Sequence, residues 1–226
     1  MGEERKEVRD EGLAPVPAQE ELLMAIEKYL AAGVRLGTRV SNAYLQRRGF
    51  VFSVRPDGLR ILNLRKIDER IRIAAKMITM YDPERVVAYS AKPYGFKPVE
   101  MFCKFVKCKA ITGRFIPGTF TNPNLNHYIE TDLLISTDPK ADTQAIEEAA
   151  RMGIPVIALV DTDTPISYVD LIIPCNNKGR RSLALIYWLL TRQVLRIRGG
   201  ELKENEDLPV QPEEFEVKAS IEGVSQ

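Results

Sequence analysis

Residues 154–179 read IPVIALVDTDTPISYVDLIIPCNNKG. Two runs inside this stretch, Val156–Val160 and Val169–Ile173, are largely apolar and rich in β-branched residues, and they do not alternate polar with apolar. A strand without alternation is covered on both faces, the mark of a buried, parallel sheet. Each run ends in a polar loop, Asp161-Thr162-Asp163-Thr164-Pro165 after the first and Cys175-Asn176-Asn177-Lys178-Gly179 after the second. Open parallel α/β sheets bind ligands at the carboxyl ends of their strands. Both loops therefore stand where a site is expected.

Working outward, Gly179 to about Arg198 predicts a helix with Leu183, Ile186, Leu189, Leu190 and Val194 turned inward, closed by Gly199-Gly200. Beyond it, residues 201–226 are acidic and carry two prolines, which predicts an unstructured acidic tail. Upstream, strands are expected at Asp132–Ser136, Lys109–Thr112 and Arg85–Ser90, and helices at Ala141–Met152, Pro98–Val106 and Arg65–Tyr81. The stretch Lys92–Lys97 reads as a loop before the second of these helices. Phe50–Val54 and Leu59–Leu62 flank the turn residues Pro56-Asp57-Gly58 and predict a hairpin. Leu22, Leu23, Ile26 and Leu30 lie at helical spacing within Gln19–Ala32, ahead of Gly33. Residues 1–17 are charged, with little to bury, and read as a flexible leader. The alternation of strand and helix predicts a three-layer α/β domain with a mainly parallel sheet over residues 18–200.

Hydrophobic residues make up 45% of the 226 positions, enough for a sizeable core. No apolar run approaches the roughly 20 residues that span a bilayer, and the charged start Met1–Glu7 is not a signal sequence. A cytosolic protein is expected, with no membrane partner. Cys103, Cys108 and Cys175 are too few and too oddly spaced for a disulfide framework, and with the single His127 they predict no zinc site. The net charge of +1 conceals a segregation. Residues 1–30 hold four basic and eight acidic side chains, residues 201–226 two and eight, which leaves +11 on residues 31–200. A basic body points to a polyanionic partner.

Three constellations carry candidate chemistry. Asp161 and Asp163 after an apolar strand have the pattern of a Mg²⁺-dependent phosphohydrolase, nucleophile first and acid/base second. Such enzymes carry the pair near the start of the chain and need later motifs, for which too few residues follow. The structural reading, loop capping, is preferred, with no catalytic residue, cofactor or metal expected. Asn176, Asn177 and Lys178 at a helix start could hold a phosphate through backbone N–H groups, or could cap the helix. No glycine-rich nucleotide-binding motif is present, and no small-molecule substrate is expected. The third constellation is distributed. Arg35, Arg39, Arg47, Arg48 and Arg114 recur among aromatic residues, and Arg114 opens the irregular loop Gly113–Asn124, in which Thr119, Thr121 and Asn122 offer short donors. Guanidinium forks suit phosphate, and hydroxyl and amide groups suit phosphate or 2′-hydroxyls, which is the chemistry of a structured RNA partner.

The motifs Leu30–Thr38 (LAAGVRLGT), Arg60–Lys66 (RILNLRK), Gly113–Pro123 (GRFIPGTFTNP), Asp138–Asp142 (DPKAD), and Ile154–Asp163 continuing to Ile173–Gly179 closely resemble the S-two family of small-subunit ribosomal proteins. The likeness is to the archaeal form, related to the eukaryotic laminin-receptor-precursor branch, and covers residues 20–198 in the family's order. It implies a flavodoxin-like sheet, no catalysis, and a structural role in the small ribosomal subunit. Ribosomal RNA and neighbouring ribosomal proteins are the implied partners. Bacterial members carry a long helical hairpin after the loop that ends here at Asn124; only Asn124–Glu130 precedes the next strand, so that hairpin is missing. Many members have histidine where this chain has Arg35, and the acidic tail does not match the bacterial type.

Overall fold

A computed structural model describes residues 22–199, 202 and 206–217. The expected leader, residues 1–17, lies outside the described residues. In chain order the elements are α1 (Ile26–Ala32), α2 (Ala43–Arg47), β1 (Val51–Val54), β2 (Arg60–Leu62), α3 (Leu64–Thr79), β3 (Val86–Ser90), α4 (Pro93–Val106), β4 (Lys109–Thr112), β5 (Leu133–Ser136), α5 (Thr143–Met152), β6 (Val156–Val160), β7 (Leu171–Pro174) and α6 (Arg180–Arg198). Single turns of 3-10 helix cover Pro83–Arg85 and Pro212–Phe215.

Strands β4-β3-β5-β6-β7, in that spatial order, form one parallel sheet. Numbered along the chain, this is the order 2-1-3-4-5 of a flavodoxin-like sheet. Alternate residues of β3 separate its two faces. Val86 and Ala88 join a core with α3, α4 and α6, while Val87 and Tyr89 join one with α5 and the rings of Phe115 and Phe120. A smaller core on Ala158, Val160 and Ile172 receives Leu45 of α2 and Phe50. Helices therefore cover both faces, as the unalternating strands require. Helix α6 is buried along most of its length, from Ser182 to Leu195, because α3 and α4 flank it and the C-terminal segment closes over it. A helix apolar on all sides needs such enclosure.

Four points of the reading are corrected or added to. Helix α4 starts at Pro93, not Pro98; both prolines suit a first helical position, but Pro93 takes it, and Pro98 is buried in the second turn. Strand β7 begins at Leu171, because Tyr168 adopts a left-handed φ of 61° and Val169 still belongs to the turn. Its end at Pro174 is allowed because β7 is an edge strand. Helix α2, five residues long, was too short to show a period. The fourth concerns the acidic tail. Residues 206–217 pack on the helical face, with Leu208 and Phe215 buried and Phe215 stacked on Phe105 at 6.2 Å between ring centroids. The Trp188 indole N–H donates to the Val210 carbonyl at 2.7 Å. Acidic composition hid three apolar anchors.

Candidate nucleic-acid interface

The polar loops after β6 and β7 sit at the carboxyl edge of the sheet, as expected, but their side chains are engaged inside the protein. Asp161 is 1% exposed. Its carboxylate accepts the Thr162 N–H at 2.6 Å, and burial pushes its pKa up. Asp163 pairs with the Lys178 ammonium at 2.7 Å, and Lys178 also lies 3.6 Å from Asp161. A nucleophile needs an open approach and a metal-binding partner; Asp161 is sealed, and Asp163 is neutralised by Lys178. No group of three or more metal-ligating side chains occurs among the described residues. The Asn177 amide, 1% exposed, donates to the Leu159 carbonyl at 3.0 Å and to Asp138 at 3.2 Å. Asn176 accepts the N–H groups of Lys178 and Gly179 at 3.0 and 3.1 Å.

The crevice between β3 and β5, where the strand order reverses, is also filled. Lys92 pairs with Asp138. Asp142 accepts from Ala91 N at 2.9 Å, Ser136 Oγ at 2.8 Å and Asp138 N at 3.0 Å. Burial, the dominant cause, raises the Asp142 pKa to about 6. The Thr137 and Tyr187 hydroxyls meet at 2.7 Å. Gly95 lies so close that a Cβ there would fall 2.2 Å from Ser90 Oγ. The position where this fold takes a nucleotide in other proteins is packed solid.

What the loops hold instead is the segment 33–42. Thr162 Oγ1 accepts the Thr38 N–H at 2.8 Å and lies 2.9 Å from Thr38 Oγ1. The Thr162 carbonyl accepts Asn42 N at 2.8 Å, and Asn176 N donates to the Val34 carbonyl at 3.0 Å. Asn176 Nδ2 reaches the Gly33 carbonyl at 3.2 Å. Gly37 fits between Thr162 and the Arg60 carbonyl, where a Cβ would meet them at 2.6 and 3.0 Å; no larger residue allows that approach. The same segment bonds to β2 through Gly37 N to Arg60 O, Arg60 N to Thr38 O and Leu62 N to Arg35 O, at 2.9, 3.2 and 2.8 Å. A basic segment is thereby fastened to both the sheet and the hairpin.

Arg35, half-buried, donates from Nε to the Leu62 carbonyl at 3.2 Å and lies 5.6 Å over the Phe52 ring. Arg39, Arg47 and Arg48 are exposed, and Arg48 lies 5.4 Å over the Tyr44 ring. Arg35 and Arg39 lie on the fastened segment 33–42, and Arg47 and Arg48 follow it at the end of α2. Arg114, also exposed, stands apart, beyond β4 at the other end of the sheet. Its loop is pinned by Phe115 and Phe120, whose rings pack at 5.1 Å. The buried Glu148 carboxylate accepts the N–H groups of Gly118 and Phe120 at 2.8 and 3.2 Å. Thr121 and Asn122 are half-buried. Thr119, 5% exposed, donates to the Ile116 carbonyl at 2.6 Å.

Thr119 and Asn177 are therefore withdrawn as surface contacts, because both are buried and their donor groups are engaged in the interior. Lys178 and Asn176 serve the loop geometry. The anchoring role of Thr162 was missed in the sequence; the only signal for it was its place in a polar loop that lacked a catalytic context.

These features define a class: a doubly wound α/β scaffold whose ligand edge is closed by its own side chains and whose outward chemistry is basic. The chain belongs to the ribosomal protein S2 family, a family of structural proteins rather than enzymes. The family model for ribosomal protein S2 matches residues 125–196. The small ribosomal subunit protein uS2 of Pyrobaculum aerophilum is 70% identical over 200 residues, covering 88% of this chain and 96% of that one. The protein of the same name from Caldivirga maquilingensis is 69% identical over 198 residues, 88% of this chain and 92% of that one. That of Thermofilum pendens is 55% identical over 203 residues, 90% and 94% of the two chains. The resemblance to the archaeal form holds.

Proposed function

We propose that the chain is a structural constituent of the small ribosomal subunit, ribosome-bound in the cytoplasm, that binds ribosomal RNA and neighbouring ribosomal proteins and supports subunit assembly and translation. The observation that supports this most is the fastening of the segment 33–42, which carries Arg35 and Arg39 and leads into α2 with Arg47 and Arg48. Arginines kept only for solubility need no anchoring, whereas phosphate contacts need a fixed register. Thr162 and Asn176 supply it. The relatives named as small-subunit proteins match 88% to 90% of this chain, so the likeness extends well beyond any single motif. The RNA-facing set is Arg35, Arg39, Arg47, Arg48 and Arg114, with Thr121 and Asn122 as short donors beside Arg114. Sedimentation of cell extract through a gradient at moderate salt tests the reading. The protein is expected to migrate with small subunits and to leave them as salt rises; migration as a free protein at low salt would overturn it.

A further inference from the structure

The hairpin that carries Arg35's partner has an irregularity at one residue. Val51 pairs with Leu62 and Ser53 with Ile61, so Phe52 is an extra residue in β1 with none opposite it. Such a bulge turns a side chain away from the direction that regular pleating would give it. Phe52 is 67% exposed. A single exposed apolar side chain is ordinary, but this one is held. The Arg35 guanidinium lies 5.6 Å over its ring and is itself tied to the Leu62 carbonyl. Arg35 also belongs to the segment that Thr162 and Asn176 fasten to the sheet. The ring is thus placed before any partner arrives, which lowers the entropic cost of binding.

The surroundings are cationic. The Arg39 side chain lies over Gly58 in the hairpin turn, and Arg55 and Arg60 flank the same hairpin, with Asp57 near Arg55 at 3.7 Å. An aromatic face among guanidinium groups suits a nucleobase with its phosphates on either side. A paired A-form helix keeps its base faces stacked inside, so the base received here must be unpaired. The excess of positive charge around the ring favours a polyanion over a protein strand laid along β1.

We propose that Phe52 is a stacking platform for an unpaired base of small-subunit ribosomal RNA, with Arg35 and Arg39 holding the flanking backbone. This rests on the RNA-binding reading above and names the kind of RNA element that the hairpin takes.

The test uses the full chain and a full-length small-subunit rRNA transcript, with affinity measured across a salt series for wild type, Phe52→Leu and Phe52→Trp. Stacking releases no counterions, so Phe52→Leu should weaken binding about tenfold at every salt concentration and leave the salt slope unchanged. Phe52→Trp should keep its affinity, and its emission should be quenched when the transcript binds. The native Trp188 is 2% exposed and supplies only a constant background. Matched thermal midpoints establish that Phe52→Leu is folded, and if it is not, the Phe52→Trp quenching decides alone. Wild-type affinity in a folded Phe52→Leu, or unquenched Phe52→Trp at saturation, would overturn the proposal. So would a Phe52→Leu protein that binds the transcript normally but fails to enter subunits, since the ring would then face a protein. If wild type does not bind the transcript at all, the RNA-binding reading falls with it; if wild type binds and Phe52→Leu is unaffected, only the stacking site falls.

Discussion

Thr162 accepts the Thr38 N–H through its hydroxyl and the Asn42 N–H through its carbonyl. Replacing it with valine keeps the shape and removes only the hydroxyl, leaving Thr38 N without its acceptor. A polar group left unsatisfied in this way costs about 1–3 kcal/mol. Thr162→Val is therefore expected to melt earlier and to exchange the Thr38 and Asn42 amide hydrogens faster, with the Asn177 region unchanged. Uniform exchange across both regions would deny Thr162 its anchoring role. Asp142 makes a second prediction at this scale. Burial raises its pKa in the fold from 3.8 to about 6, so between those values the folded state holds more protons than the unfolded one. Stability must then fall as pH rises through that window, by roughly 3 kcal/mol for a shift of this size. Burial raises the pKa values of Asp68 and Asp161 too, and they act in the same sense. Denaturant unfolding of wild type between pH 4 and 6.5 should show the decline, and Asp142→Asn should show a shallower one; parallel curves would remove Asp142 from the effect.

At the scale of elements, the exposed arginines of α2 and the Gly113–Asn124 loop make separable claims. Arg47 and Arg48 sit at the end of the same short helix, and Arg48 is steadied by Tyr44. Arg114 stands on a loop fixed by Glu148. Removing one arginine–phosphate pair should lower the salt slope of rRNA binding by roughly 0.7–0.9. Arg114→Ala should show one such decrement, and the doubly substituted Arg47→Ala/Arg48→Ala up to two, with thermal midpoints unchanged because none of these side chains is buried. Unchanged slopes in both would take these residues off the RNA-facing surface. The elements themselves were largely legible in the sequence, because a buried parallel strand leaves an unalternating apolar run, and β3, β5 and β6 fall where such runs lie. Helix starts were less legible: two prolines offered a first-turn position for α4, and Pro93 takes it, with Gly95 in the same turn packed close to Ser90. The site was legible in its arginines and not in its supports. Charge is visible residue by residue, but Thr38 and Thr162 are 124 residues apart, and nothing local announces that they meet.

At the scale of the whole molecule, the charge segregation read from the sequence closes partly in space. Acidic side chains of the segment 206–217 reach arginines at both ends of α6. Asp207 pairs with Arg192 at 2.8 Å and lies 3.6 Å from Arg196, and Glu216 lies 3.9 Å from Arg181. The Glu206 carbonyl accepts from Arg196 at 2.8 Å. Arg192 and Arg196 are thereby engaged within the chain, while Arg181 stays largely exposed. The segment 206–217 also covers Trp188 and buries Phe215 against Phe105. Deleting residues 206–226 should lower the thermal midpoint, by about 2–4 °C for each kcal/mol of net stabilisation removed. It should also shift the Trp188 emission to the red as the indole meets water. Affinity for naked rRNA at a temperature where the truncated protein is folded should not weaken, because the removed charge is repelled by phosphate. An unshifted emission and an unchanged midpoint would show that the segment adds nothing to the fold. A large drop in rRNA affinity in the folded truncation would instead place an RNA contact on it, against its charge.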